Sequence, residues 1–245
     1  LKASPNEQQV LLDLQKLDTR LDQLAHRAAN LPEVARCTEL RDRLAEFQTD
    51  SVQAQTELWD LGEQVAKAEL EVAGVRTRAR KDQSLLDSGA ITSGKQLEDL
   101  QHEITSLARR QTSLEDVELE LMEQAEAVQE RVDDLSNSVS RTKVELAGVE
   151  QARDALLAEI SDEVGRIDLR RIKLIDELPV DLIALYQRLR DNLGGVGAAP
   201  LVGKHCEGCN MQLAPTDLSA IAAAEPDDVV RCEECRRILV RKVVA

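Results

Sequence analysis

The chain has 245 residues, a formal net charge of −15 and 31% charged side chains, yet 42% of it is hydrophobic and its only aromatics are Phe47, Trp59 and Tyr186. A globular core of this size leans on large aromatic side chains, so such a core is excluded for most of the chain, and the hydrophobic content is too high for disorder. The acidity argues against tight, non-specific binding of nucleic acid or anionic membrane by the protein as a whole.

Ser4-Pro5-Asn6-Glu7 reads as a capping box with proline at the first helical position, and it opens a helix. Val10, Leu14, Leu17, Leu21, Leu24, Ala28 and Leu31 then follow a 4–3 alternation. Leu31-Pro32 interrupts it, and the pattern restarts out of phase at Leu40, which predicts a kink or short turn at about 31–33. No proline occurs from Glu33 to Leu178. Leu40, Leu44, Phe47, Ser51, Ala54, Leu58, Leu61, Val65, Ala68, Val72, Val75 and Ala79 keep the alternation, with Ser51 the polar member. Leu121, Ala125, Val128, Val132, Leu135, Val139, Thr142, Leu146 and Val149 repeat it, with Thr142 the polar member. A sustained 3.5-residue spacing is the mark of helices wound about a partner.

Between these runs lies "LDSGAITSGKQ", residues 86–96, where two glycines end one helix and Ser93 with Gln96 can open the next. Residues 4–31 and 33–86 provide about as many outbound positions as 93–178 provide returning. An antiparallel hairpin with its tip at about 87–94 needs this match, and its length would be roughly 125–130 Å. A parallel intermolecular dimer is the alternative, and the short glycine-containing turn favours self-pairing. Pro179 closes the return helix, a shorter helix "VDLIALYQRLRDNL" follows, and a glycine-rich stretch leads into a small C-terminal domain. The fold class is therefore mainly α: a long antiparallel coiled-coil hairpin over 1–178, a short helix and Gly-rich linker over 179–199, and a small C-terminal domain over 200–245, whose Cys206, Cys209, Cys232 and Cys235 have the paired spacing of a zinc ribbon.

That last domain holds Cys206-Glu-Gly-Cys209 and Cys232-Glu-Glu-Cys235. A C-x-x-C turn aims two thiolates at one point, and two such turns place four sulfurs around a tetrahedral Zn²⁺. The insert "LAPTDLSAIAAA" fits between them as one short helix. So short a domain cannot supply its own core, and one structural zinc would support it. Four protein ligands leave no open position for activated water, and no nucleophile elbow, phosphate loop or H-E-x-x-H pattern is present, so no enzyme is expected. His205 reads as a strand residue rather than a ligand. Cys37 belongs to no C-x-x-C pair and reads as a small helix residue, while His26 and His102 fall off the seam.

These segments together resemble the bacterial C4-type zinc-ribbon proteins with a long N-terminal coiled coil, a family largely known as a domain of unknown function. The resemblance covers essentially the whole chain and rests on "SGAITSGKQLEDLQHEI", "LYQRLRDNLGGVGAAPL", "CEGCNMQLAP" and "VVRCEECRRIL". It implies Cys206, Cys209, Cys232 and Cys235 as the metal ligands. The family often has glycine after its last cysteine and an aromatic residue shortly beyond, where this chain has Arg236 and Val240. It also implies a scaffold, some relatives being associated with adaptor roles around transcription or flagellar and secretion systems.

Two functions follow. The first is a non-enzymatic adaptor or scaffold that binds protein partners through the rod, its tip and the ribbon, with Ile91, expected exposed between Gly89 and Gly94, as the tip contact. The second is nucleic-acid binding through Arg231, Arg236, Arg237, Arg241 and Lys242, a basic edge around the second knuckle. Against it, 200–245 holds more acidic than basic residues and no aromatic platform for stacking. The arginines then serve instead as charge compensation beside an anionic zinc–thiolate centre. No signal peptide or membrane span is read in the sequence, so a soluble, cytoplasmic protein is expected, as a monomer or a homodimer.

Overall fold

The computed structural model describes residues 1–241. Its elements run α1 (Pro5–Ala29), α2 (Pro32–Asp87), α3 (Gly94–Asp176), α4 (Val180–Asn192), β1 (Ala198–Val202), β2 (His205–Cys206), β3 (Met211–Gln212), α5 (Pro215–Ala223), β4 (Val230–Arg231) and β5 (Ile238–Arg241). Long helices forming a hairpin precede a small zinc-ribbon strand region, as the heptads and cysteines predict.

Local chemistry explains the ends. The Ser4 hydroxyl accepts from the Glu7 N–H at 3.3 Å and the Glu7 carboxylate accepts from the Ser4 N–H at 2.5 Å, so the capping box is formed. At the other end of α1, the Asn30 side-chain amide donates to the His26 carbonyl at 2.7 Å. Pro32, which has no N–H to give, then starts α2, so the interruption is a turn of Asn30 and Leu31. Between α2 and α3, Gly89 takes a left-handed φ of +66°. The Leu97 N–H reaches the Ser93 carbonyl at 3.1 Å to open α3.

The chain divides into two compact units, Leu1–Ala35 with Glu150–Ala245, and Arg36–Val149. Both boundaries fall inside α2 and α3 rather than between helices and ribbon.

Arg36–Val149 is an antiparallel helix pair. Every expected α2 seam position from Leu40 to Ala79 is buried or half-buried, Ser51 included. Leu40 and Ala54 are fully enclosed. On α3, Leu107, Val128 and Thr142 are buried and the intervening seam positions half-buried. Ion pairs Arg36–Glu145 (2.5 Å), Glu57–Arg131, Arg76–Glu115 (2.5 Å) and Arg78–Glu103 (2.7 Å) run in opposite chain order along the two helices. Being exposed, they add little stability, but their order marks the pair as antiparallel.

The other unit is organised around a five-stranded sheet of order β3-β2-β1-β5-β4. Its central pair, β1 and β5, is parallel, and the remaining pairs are antiparallel. Alternate residues of the central strands serve two cores, as a period of two dictates. Ala198, Ile238 and Val240 pack with Leu11 and Leu14 of α1 and with Leu182 and Tyr186 of α4. Ala199 and Leu239 pack with Leu213, Ile221, Cys206 and Cys232. The ribbon thus shares a core with α1 and α4, a support beyond the zinc that the sequence suggested.

Candidate metal centre

Each cysteine pair sits at the turn of a small hairpin. Cys206 ends β2 and Cys209 precedes β3, while Cys232 follows β4 and Cys235 precedes β5. β1 pairs with both β2 and β5, which sets the two hairpins side by side. The turns are built alike. Asn210 and Arg236, each just past a second cysteine, have φ of 56° and 64°. Their N–H groups close on the carbonyls of Cys206 and Cys232, both at 2.8 Å. The helix expected between the pairs is α5.

The four Sγ atoms lie within 4.8 Å of one another. Cys206 and Cys235 sulfurs are 3.8 Å apart and those of Cys209 and Cys232 are 4.0 Å apart. Four sulfurs at ~2.3 Å from a tetrahedral Zn²⁺ stand about 3.8 Å from each other, so the donor set fits one structural zinc. The thiols by themselves are ill matched. Burial pushes Cys206 up to about 12, outweighing the N–H groups of Cys209 and Gly208. Cys232 is also raised by burial. Cys235 feels burial too, but hydrogen bonds from Arg237, backbone and side chain, help bring it to about 7. A bound Zn²⁺ deprotonates such thiols outright and binds them as thiolates. Gly208 is there for space: a Cβ would lie 2.8 Å from the Ala199 Cβ and 2.8 Å from the Arg237 Cδ. Glu234, its counterpart in the second knuckle, is exposed and needs no glycine.

The basic residues divide by what they hold. Arg237 donates to the carbonyls of Val196 at 2.9 Å and Leu193 at 2.8 Å, tying the second knuckle to the end of α4. Arg241 donates to five carbonyls, of Ile221, Ala224, Glu225, Pro226 and Asp228, and so closes the C-terminal end of α5. Arg231 donates to the Arg236 carbonyl at 2.7 Å, and Arg236 pairs with Glu233 at 2.9 Å on the surface. Lys242 lies outside the described residues. His205 is an exposed strand residue paired with Val202 and Gln212. Ile91, expected exposed, is instead half-buried in the short connection between the end of α2 and the start of α3.

Comparison with known proteins places this arrangement. Residues 14–194 match the CT398-like coiled coil hairpin domain, and residues 205–239 match a C4-type zinc ribbon domain. The chain belongs to the CT398-like coiled-coil hairpin family. It is 40% identical over 248 residues to the uncharacterized protein Rv2229c of Mycobacterium tuberculosis, covering 98% of each chain. A solved structure from Mycobacterium smegmatis is 36% identical, with a TM-score of 0.83 over 99% of this chain and 100% of that one. CT398 from Chlamydia trachomatis shares the fold at 20% identity, with a TM-score of 0.68 over 97% and 98% of the two chains. Among the described residues no helix is long and apolar enough to cross a membrane.

In this member of the family, the residues that fasten the ribbon to α1 escape a hydropathy reading. Gln8, Leu11, Gln15, Asp18 and Asp22 form a second 3–4 line on α1, beside the apolar one. Gln8 donates to the carbonyls of Ala3 at 2.8 Å and Pro226 at 3.1 Å. The Gln15 amide donates to the Gly195 carbonyl at 2.9 Å and its oxygen accepts from the Gly197 N–H at 2.8 Å. Gly197 is required there, since a Cβ would lie 2.6 Å from the Tyr186 carbonyl oxygen. Asp18 is 1% exposed and accepts from Arg171 Nε and from the Tyr186 hydroxyl, both at 2.6 Å. Burial and this carboxylate raise the Tyr186 phenol well above its ordinary value, which keeps it a donor. Arg190 adds a 2.6 Å bond to Asp22. Lys2 completes the fastening with Glu225, Asp227 and Asp228 at 2.6, 3.0 and 3.1 Å. The spacing of the polar line was the available signal, but it needs a partner sequence to be told from a solvated face.

Proposed function

We propose that this protein is a non-enzymatic cytoplasmic adaptor that binds protein partners through its helical rod, the rod's tip and the zinc ribbon. The observation that carries this reading is the commitment of Arg237 and Arg241 to carbonyls of their own chain. Two of the five basic residues that made the ribbon a candidate nucleic-acid edge therefore hold the fold together. Zinc with four cysteine ligands has no coordination position left for a substrate, which favours a scaffold over a catalyst. The long coiled-coil surface and the ribbon are the parts left to meet partners, and half-buried Ile91 with exposed Leu85 supplies apolar surface at the tip.

The test is affinity capture by the zinc-loaded protein and by an Ile91→Asp variant, alongside nucleic-acid binding at low salt. The adaptor reading expects partners lost with the variant and no retained nucleic acid. Steeply salt-dependent nucleic-acid binding, abolished in an Arg231→Ala/Arg236→Ala variant that spares Arg237, would replace it with the nucleic-acid reading.

A further inference from the structure

The outer face of α2 carries a second heptad. Ala45, Thr49, Val52, Thr56, Trp59, Glu63, Ala66, Leu70, Ala73 and Thr77 follow an unbroken 4–3 alternation, each two residues before a member of the buried seam. Two residues are about 200° of helix, so this line lies opposite the buried one. All ten positions are exposed, and among them Val52 is 63%, Trp59 67% and Leu70 75% exposed. A solvated outer face would be charged or polar at most of these positions, whereas six of the ten here are Ala, Val, Leu or Trp. Here Glu63 is the one charged member.

The threonines on this line are compatible with burial. Thr49, Thr56 and Thr77 donate their hydroxyls to the carbonyls of Ala45, Val52 and Ala73, at 2.9, 2.9 and 2.8 Å. Each hydroxyl is satisfied within its own helix, and the methyl remains to pack against a neighbour.

Charge along the helix indicates the occupant. Residues 45–63 hold Glu46, Asp50, Glu57, Asp60 and Glu63 and no basic residue, whereas 64–81 hold Lys67, Arg76, Arg78, Arg80 and Lys81 against Glu69 and Glu71. A helix that is acidic in one half and basic in the other complements itself when reversed. We propose that the outer face of α2 is the interface of an antiparallel homodimer, with a second copy of the same helix as its occupant. Antiparallel pairing sets a against d positions. The register centred between Gln64 and Val65 puts Trp59 against Leu70 of the second copy, and Glu63 against Ala66 of the second copy, where small alanine lets the carboxylate reach water. The flanking positions then pair Asp60 with Lys67 and Glu46 with Lys81, each twice by symmetry. Among the described residues none of these four side chains makes an ion pair within the chain, so all are available. This goes beyond the adaptor reading, because it concerns what the rod does with a copy of itself.

Sedimentation of the full zinc-loaded chain over a concentration series tests it, with emission from the sole tryptophan as a second readout. The expected result is a monomer–dimer equilibrium accompanied by a blue shift of Trp59. Trp59→Asp should abolish the dimer in sedimentation without loss of helical circular dichroism, since the residue lies on the exposed outer face. Lys67→Glu should weaken the dimer roughly tenfold by facing Asp60 with a like charge, and Asp60→Lys/Lys67→Glu should restore it. A chain that stays monomeric at every concentration, leaving the face for another protein's helix, overturns the proposal. So does a dimer that survives Trp59→Asp, or one that the charge exchange fails to restore.

Discussion

The two compact units hold themselves together in different ways. In Arg36–Val149 a single apolar stripe repeats, layer after layer, and every layer does the same work. In the unit that contains the ribbon, a few groups converge: four sulfurs on one point, and one carboxylate on an arginine and a tyrosine. A repeating seam spreads its stability over many replaceable contacts, whereas a convergent one concentrates it. The first should decline gradually under mutation and the second should fail at particular residues.

Removing the metal breaks the comparison most widely open. Structural zinc in such modules contributes about 10–16 kcal/mol of apparent binding free energy, which is also folding free energy. Chelation, or Cys232→Ser, should therefore unfold β1 to β5 and α5 and strip amide-exchange protection from 198–241. The helix pair of 36–149 has its own seam and should retain its far-ultraviolet ellipticity. A single cooperative loss of both signals would show that the two units do not differ in this way.

Asp18 offers the next largest contrast. Asp18→Ala leaves the Arg171 guanidinium and the buried Tyr186 hydroxyl without their acceptor, a loss of about 3–5 kcal/mol by the usual cost of breaking a buried pair. Ser51 is also a polar residue at a heptad position, but it interrupts an apolar seam and holds nothing across it. Ser51→Ala should leave stability unchanged or raise it by about 0.5 kcal/mol through helix propensity. Denaturant unfolding of the zinc-loaded variants measures both. Equal effects would mean that the α1 network is as replaceable as a seam layer.

The same contrast explains what could be read in advance. The seam of α2 was legible because burial of Leu, Val and Ala leaves a periodic trace in one sequence, and the cysteines because a tetrahedral site demands paired ligands at short spacing. Asp18 and Gln15 leave a 3–4 spacing but no apolar trace. A carboxylate that meets Arg171 and one that faces water look alike in hydropathy, and their partners lie more than 150 residues away. Arg237 and Arg241 misled for the same reason: a cluster of arginines in sequence looks like a basic surface until their carbonyl acceptors are seen. The outer heptad of α2 was equally open to counting, but threonine and alanine mark a seam only faintly beside leucine.

The finest comparison lies between the two knuckles. Both need a left-handed residue after the second cysteine so that its N–H can reach back to the first. Asn210 fills that place in one, and asparagine tolerates the conformation through its short polar side chain. Arg236 fills it in the other at φ 64°, where a longer side chain is strained by roughly 1–2 kcal/mol. Arg236→Gly relieves that strain. It gives up only a surface ion pair with Glu233, whose two side chains are 58% and 63% exposed, and it adds some unfolded-state freedom. Arg231 keeps its acceptor, because it bonds to the backbone carbonyl of residue 236 and not to the side chain. The net expectation is a gain of about 0.5 kcal/mol in the zinc-loaded ribbon, read as a small rise in its thermal midpoint. Asn210→Gly should give less, since asparagine already sits there at low cost. If the two glycines act alike, strain in the second knuckle is not what separates them.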